Sequence, residues 1–481
     1  MTHTAFQERG HDVELSVDYV VVGSGAGGSM AAVTLARGGA EVAIVEAGPW
    51  RDPEDYPHST YGALRDMLDA FGSTVTLGRA NWPIVQGRLV GGSTVVNSAI
   101  AVRTPEDIFA QWRREVGVGG HALAEKVWSI QDRVEQELHV SEVPQASRGR
   151  SNILAQIADK KLQMGGHLMN RYIDRCEGNG TCLQGCRANR KQSTNINYIP
   201  ETLRRGGHVL SCAPVAKVIL EGPRAVGVRG RFVHPKTKAK GADFIVHARK
   251  GVLVSASVTY SSLLLRRSGV KNKNLGKGFR AHPGSGVFGV YDENIDMHVG
   301  ATQGWASTKF RDVPGLKLET LSLPMEMVVS RFGGGGQELM ARIAQYRHMA
   351  MWVQATRAQS VGSIASGPFG MPIVRYSLVP ADMERFVEGI RMVSKMHFAA
   401  GARSIMPGIA GLPYELRESD LGLLDSAPRD PRAYVAILSH LFGGCVMGAD
   451  PATSVCDGNG RVHGYGVCTW LMRRSFPAIW E

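Results

Sequence analysis

The stretch DYVVVGSGAGGSMAAVTLARGGAEVAIVEAG, residues 18–48, constrains this chain more than any other. Tyr19–Val22 is a short β-branched apolar run of the kind that forms a buried parallel strand. Gly23, Gly25 and Gly28 complete G-x-G-x-x-G, and Ser29–Arg37 then reads as a helix closed by Gly38 and Gly39. Glu41–Val45 reads as a second buried strand with Glu46 at its C-terminal end. Each residue type has a job in that order. Gly23 permits the tight turn, Gly25 lets a pyrophosphate approach the backbone, and Gly28 lets helix and strand pack closely. The helix N-terminus offers free N–H groups to phosphate. Glu46, about 20 residues on, can accept from both ribose hydroxyls and repels a 2′-phosphate. The pattern specifies a dinucleotide site.

At 481 residues the chain is long for one core, so two interleaved domains are expected. A formal charge of +12 invites a nucleic-acid or membrane reading. The basic residues are scattered, however, and their densest clusters, His234–Lys240 and Arg266–Lys277, have no aromatic platform. No nucleic-acid partner is therefore expected. No apolar run reaches the length of a transmembrane helix, and the first seventeen residues lack a signal core, so a cytoplasmic protein is expected.

After Glu46, Tyr61–Phe71 reads as a short helix. GRLVGGSTVVNSAI, residues 87–100, follows. Its Gly91, Gly92 and Ser93 let the backbone pass close to a flat ligand, and Asn97 offers an amide. Read together, GSGAGG with Glu46, GRLVGGSTVVN and the C-terminal HLFGGC at His440–Cys445 resemble the glucose–methanol–choline (GMC) family of FAD-dependent oxidoreductases. Three further segments extend the resemblance. VAKVILEGPRAVGV, containing Val218, is similar to the family's hairpin beside the adenine, GVLVSASVTYSSLLLRRSG to a strand and helix, and His282-Pro283 to a loop. Ser255–Ser257 departs from the family's Ala-Gly pattern, which puts close packing there in question.

The resemblance implies a mixed α/β chain, α+β overall. A Rossmann-like FAD-binding domain with a parallel sheet would be built from residues 13–110, 205–284 and 436–466. Residues 285–435 would form an interleaved substrate domain of antiparallel sheet and helices, and 111–204 a helical insertion with helices at Glu125–Leu138 and Ser151–Met164. In the substrate region Gly286–Tyr291, Leu316–Leu323 and Ile373–Val379 read as strands. Asp382–Ala400 reads as a helix with Met383, Phe386, Val387, Ile390, Val393 and Met396 on its core face. Met325, Met327, Met340, Met349 and Met351 would suit an adaptable apolar cavity.

The insertion carries CEGNGTCLQGC, a C-x5-C-x3-C run at Cys176, Cys182 and Cys186. Thiolates so spaced can converge on one metal, and the spacing is similar to the [3Fe–4S] segment of cluster-bearing family members. A structural Cys- and Gly-rich loop followed by Lys191, as in family enzymes like long-chain alcohol and cholesterol oxidases, is the second reading. A disulfide is the third.

His440 holds the place of the family's active-site histidine. Oxidising an alcohol removes the hydroxyl proton as hydride leaves the carbon, and a neutral imidazole can take that proton. The resemblance implies a small-molecule alcohol as substrate, apolar, long-chain or sterol-like, with oxygen, a quinone or an electron-transfer protein as acceptor. After Gly464 the chain departs from the family's final strand and helix. Back-translation of residues 467–481 with a one-base slip restores a family-like LYVADASLFPSNLG, so an out-of-frame tail unable to supply a strand is expected. The alternative is then a truncated, inactive flavoprotein relative. An NAD-dependent dehydrogenase is a weaker rival, because it has no role for residues 87–97.

Overall fold

The computed structural model describes residues 2–465 and the backbone of the strand at 468–470. Two large sheets organise it. The first runs, strand beside strand, Thr2–Thr4, His208–Leu210, Val42–Val45, Val13–Val22, Lys240–Val254, Arg224–Val233 and Val215–Glu221. Its first five members are parallel, with Tyr19 opposite Val42 and Val22 opposite both Val45 and Val254. Val20, Val21, Val42 and Ile44 are completely buried. That explains their uninterrupted apolar pattern, since a parallel sheet is covered on both faces. The hairpin Val215–Glu221 and Arg224–Val233 adds an antiparallel edge.

The helix after the glycine loop spans Ala26–Arg37 and starts three residues earlier than its side-chain pattern predicts. Its first turn is built from glycines, for a packing reason. A Cβ on Gly28 would lie 1.9 Å from the Gly23 carbonyl oxygen.

The second sheet is ordered Thr76–Leu77, Pro372–Arg375, Gly362–Ser366, Lys277–Val290, Met349–Thr356, Leu316–Thr320, Trp305–Ser307 and Gly166–Leu168. Ser404–Met406 and Ile437–Phe442 also pair with Lys277–Val290. The helix Pro380–Ala399 lies on this sheet and buries the expected stripe from Met383 to Met396. Inside it, His397 stacks on Trp352 at 4.0 Å between centroids and bonds to the Tyr291 hydroxyl at 2.9 Å.

Several expectations need correction. Thr76–Leu77 and Ile437–Phe442, assigned by sequence to the nucleotide half, belong to the second sheet, and so does Gly166–Leu168 of the insertion. His282 and Pro283 lie in the long strand Lys277–Val290, not in a loop, because Ile437–Phe442 supplies a pairing partner remote in sequence. Close packing at Ser255 survives the departure from Ala-Gly. Gly23 gives the room, since a Cβ there would stand 2.4 Å from the Ser255 carbonyl oxygen. The five methionines do not share one environment. Met349 and Met351 are core residues, while Met325 and Met340 are exposed.

The tail was expected to supply no strand, yet Cys468–Trp470 pairs in parallel with Val252–Val254. Thr469 and Trp470 are good strand formers, and three residues suffice for that pairing. The rest of the out-of-frame expectation, from residue 471 on, lies outside the described residues. No helix among the described residues is long and apolar enough to cross a membrane.

Candidate active site

One cavity of about 510 Å³ runs along the C-terminal ends of the parallel strands and reaches the second sheet. It is lined by Gly23, Gly25, Glu46, Gly92, Ser93 and Asn97, and also by His440 and Phe442 of the second sheet. Seven of the residues singled out by sequence therefore share one space. Gly28 and Gly91 support it from behind. Gly91 adopts φ +95°, and a Cβ there would meet Val95 and Asn195. Val218 is elsewhere: it is buried in the sheet core and its N–H donates to Ser268 Oγ at 2.8 Å. The cavity's wall on that side is Pro214 and Val215.

Gly25 tests whether a cofactor belongs here. Its φ of −65° is open to any residue, and a Cβ would meet no protein atom within 4 Å. Neither backbone strain nor packing requires glycine. What glycine keeps clear is the cavity itself, at the N-terminus of Ala26–Arg37, where a pyrophosphate would sit. The residues present fit a dinucleotide.

Glu46 closes the second strand from inside. One carboxylate oxygen accepts from Ser24 N–H at 2.9 Å and Ser24 Oγ–H at 2.7 Å, and the other accepts from Gly48 N–H at 2.8 Å. Burial raises its pKa above the ordinary carboxylate value, and these donors oppose that rise. Ser24 was missed by sequence reasoning, being an unspecified position of the glycine motif. Its hydroxyl also accepts from Gly91 N–H at 2.9 Å, so one buried side chain joins both glycine segments.

The cysteine run gives a [3Fe–4S] cluster no support. Among the described residues no three His, Cys, Asp or Glu side chains are placed to hold a metal, and Cys176, Cys182 and Cys186 are free thiols. Their surroundings differ. Cys176 packs against Val143, Ile173 and Ala301, Cys186 accepts from Arg190 N–H, and Cys182 is buried 3.1 Å from an Arg171 nitrogen. Burial opposes ionisation of Cys182, but the cations Arg171 and Lys191 bring its thiol down to about 7. The disulfide reading fails with the cluster.

The structural reading of that loop gains content instead. Lys191 is buried and donates to the carbonyl oxygens of Val95, Asn97 and Cys182. Arg171, also buried, donates to the Ser98 carbonyl from Nε at 2.9 Å and from a terminal nitrogen at 2.6 Å. Two buried cations thus fix the backbone of Val95–Ser98, which forms part of the cavity wall. Only Lys191 had a sequence signal.

His440 stands on the strand Ile437–Phe442. Its ring lies 4.6 Å from that of His282, centroid to centroid and tilted by 37°. His282 is buried and sits on the adjacent antiparallel strand. Of the two imidazoles, His440 lines the cavity and His282 packs against it.

A glycine-lined cavity at the ends of a parallel sheet, with a histidine in its wall, has the form of a dinucleotide site. Comparison with known proteins places it further. The GMC oxidoreductase N-terminal model matches residues 17–284 and the C-terminal model residues 358–466, so the chain belongs to the GMC oxidoreductase family. An uncharacterized GMC-type oxidoreductase of Mycobacterium tuberculosis is 32% identical over 451 residues, covering 93% of this chain and 70% of the relative. A long-chain-alcohol oxidase of Arabidopsis thaliana is 25% identical over 476 residues, covering 93% and 62%. Among solved structures, pyridoxine 4-oxidase from Mesorbium loti superposes with a TM-score of 0.68 at 15% identity, over 96% of this chain and 95% of that one. Formate oxidase gives 0.70 at 16%, over 97% and 95%. These matches give a truncated relative no support.

Proposed function

We propose that this chain oxidises the CH–OH group of a small-molecule alcohol, with FAD bound along the glycine-lined cavity and His440 as the base. The observation that carries the reading is that His440 and Gly25 line one continuous space. Gly25 and Gly92 would admit the pyrophosphate, Glu46 would hold the ribose, and Val95–Asn97 would border the ring system. When bound, FAD supplies the two-electron acceptor for the oxidation.

The chain's own residues supply the rest. His440 accepts the hydroxyl proton on a ring nitrogen, and a carbinol placed at its ring is aligned for loss of that proton. His282, packed behind it, limits the ring's rotation and restricts water on that side. Lys191 and Arg171 keep the cavity wall rigid without touching substrate. The plant long-chain-alcohol oxidases among the relatives support a long apolar alcohol as the substrate class, and oxygen, a quinone or an electron-transfer protein would take the electrons onward. The test is a spectrum. The purified chain should be yellow, and anaerobic addition of a long-chain alcohol should bleach the flavin band. A flavin-loaded protein bleached by none of a panel of primary, secondary and sterol alcohols would overturn the proposal.

A further inference from the structure

A second cavity, of about 200 Å³, is lined by Arg280, Arg357, Arg385, Gln111, Gln359 and Asp312. Its three arginines come from three different places: the strand Lys277–Val290, the end of Met349–Thr356, and the helix Pro380–Ala399. Gly315 shows how closely two of them converge. A Cβ there would lie 3.6 Å from Arg385 Cδ and 3.7 Å from Arg357 Cβ.

The register relates this cavity to the reactive end of the larger one. Arg280 pairs directly with Phe442 across the antiparallel ladder. Paired residues project to the same sheet face, and so do residues two apart on one strand. Arg280 and Phe442 therefore share a face, and Phe442 lines the larger cavity together with His440, where the ladder shifts register. The strand spacing of about 5 Å and a rise of about 7 Å per two residues place Arg280 within roughly 10 Å of His440, backbone to backbone.

The charges in and around the cavity do not cancel. Arg385 is held by Asp382 at 3.0 Å, a buried carboxylate that also accepts from the N–H groups of Gln359 and Ser360. Arg357 reaches Asp312 at only 3.4 Å and Gln111 Oε1 at 3.2 Å. Asp312 is exposed and shared with Arg311 at 3.2 Å, which in turn holds Asp107 at 3.0 Å. Arg280 donates to the Gln359 carbonyl at 3.3 Å and pairs with no carboxylate among the described residues. Four guanidinium groups thus face three carboxylates. Like charges gathered in a partly buried polar cavity repel unless an anion joins them, and guanidinium forks match planar or tetrahedral oxyanions.

We infer that this cavity binds a carboxylate or phosphate group, with Arg280 as its principal ligand and Arg357 and Gln111 beside it. The group has two possible sources: an acidic terminus carried by the substrate itself, or a free anion. Only the first source rests on the alcohol-oxidation reading; the anion site stands without it.

Calorimetric titration of the full flavin-loaded chain with inorganic phosphate, and separately with succinate, tests the site. The expected result is saturable one-site binding that weakens with added salt and falls at least tenfold in Arg280→Met. Arg280→Lys should fall less, and Arg357→Met provides an independent variant should Arg280→Met fail to fold. Absence of saturable binding to both anions, or equal affinity in the folded Arg280→Met and Arg357→Met variants, overturns the assignment. The source is read from anaerobic flavin reduction by an ω-hydroxy acid and its methyl ester. If the substrate carries the group, KM for the acid is at least tenfold below that for the ester, and Arg280→Met erases the difference with little change in kcat. Equal KM values alongside phosphate binding assign the site to a free anion.

Discussion

The two sheets meet the same cavity in different ways. The nucleotide half presents backbone: Gly23, Gly25 and Gly92 bring main-chain atoms to the cavity, and the buried carboxylate of Glu46 is held by N–H and O–H donors from the turn beside it. The ten-stranded sheet presents side chains. His440, its neighbour His282 and Phe442 stand on strands paired across a long stretch of sequence. A surface made of backbone must be made of glycine, and its residues are close together in the chain. A surface made of side chains can be assembled from anywhere. Damage to the first half should abolish binding, and damage to the second should abolish turnover while leaving binding intact.

The largest expected effect separates two glycines of one motif. Gly28→Val drives a side chain into the Gly23 carbonyl and should leave little soluble, cooperatively unfolding protein. Gly25→Val should fold, by circular dichroism and thermal unfolding, yet purify colourless. Stoichiometric flavin in the Gly25 variant would remove the cofactor assignment. Next, His440→Ala should slow anaerobic flavin reduction by about 10²–10⁴-fold with flavin still bound, the range for loss of a general base. An unchanged bleaching rate in stopped flow would return His440 to a structural role.

Ser24→Ala should act more gently and on the other side of the comparison. It strips one donor from Glu46 and the acceptor from Gly91 N–H, at a cost of about 1–3 kcal/mol. Weaker flavin retention with an unaltered reduction rate of the bound fraction is the expected outcome. A slower reduction rate at full flavin loading would blur the division between halves. The smallest effect concerns acid. Burial lowers the His397 pKa to about 3 from its ordinary 6.5, with its bond to the Val287 carbonyl opposing the shift. The unfolded chain therefore binds a proton between those values that the folded chain does not. Stability from this group is complete above pH 6.5 and drains away as pH falls toward 3. Melting temperature against pH should be steeper over that range for wild type than for His397→Gln. Parallel curves would show that the second sheet's acid response lies elsewhere.

The same division explains what could be seen in the sequence. The strand, turn, helix and second strand from Tyr19 to Val45 were legible because they follow one another directly in the chain and the turn between them needs glycine. The stripe on Pro380–Ala399 was legible because helical periodicity reports burial directly. His282 was placed in a loop because its pairing partner lies in a strand far along the chain, and nothing local announces that pairing. Val218 was placed at the adenine, but its face of the hairpin turns into the core. The cysteine spacing left a cluster, a structural loop and a disulfide all open, because spacing alone fixes no side-chain direction. Arg171, which gives that loop its purpose with Lys191, carries no motif at all.

The strand Lys240–Val254 has a consequence for the order in which this protein can be made. It flanks Val13–Val22 along its length, and the turn at Gly23, bonded on one side to the Val45 carbonyl, packs on the other against the Ser255 carbonyl. A nascent chain therefore carries the glycine loop for more than two hundred residues before the loop has its second wall. At translation rates of about 5–20 residues per second, that is on the order of ten to fifty seconds. During that interval the edge of Val13–Val22 is unpaired and apolar, a surface that invites association with other chains. Cells that translate this message slowly, or hold little free flavin when the second wall arrives, should lose more of it to aggregation than to inactivity.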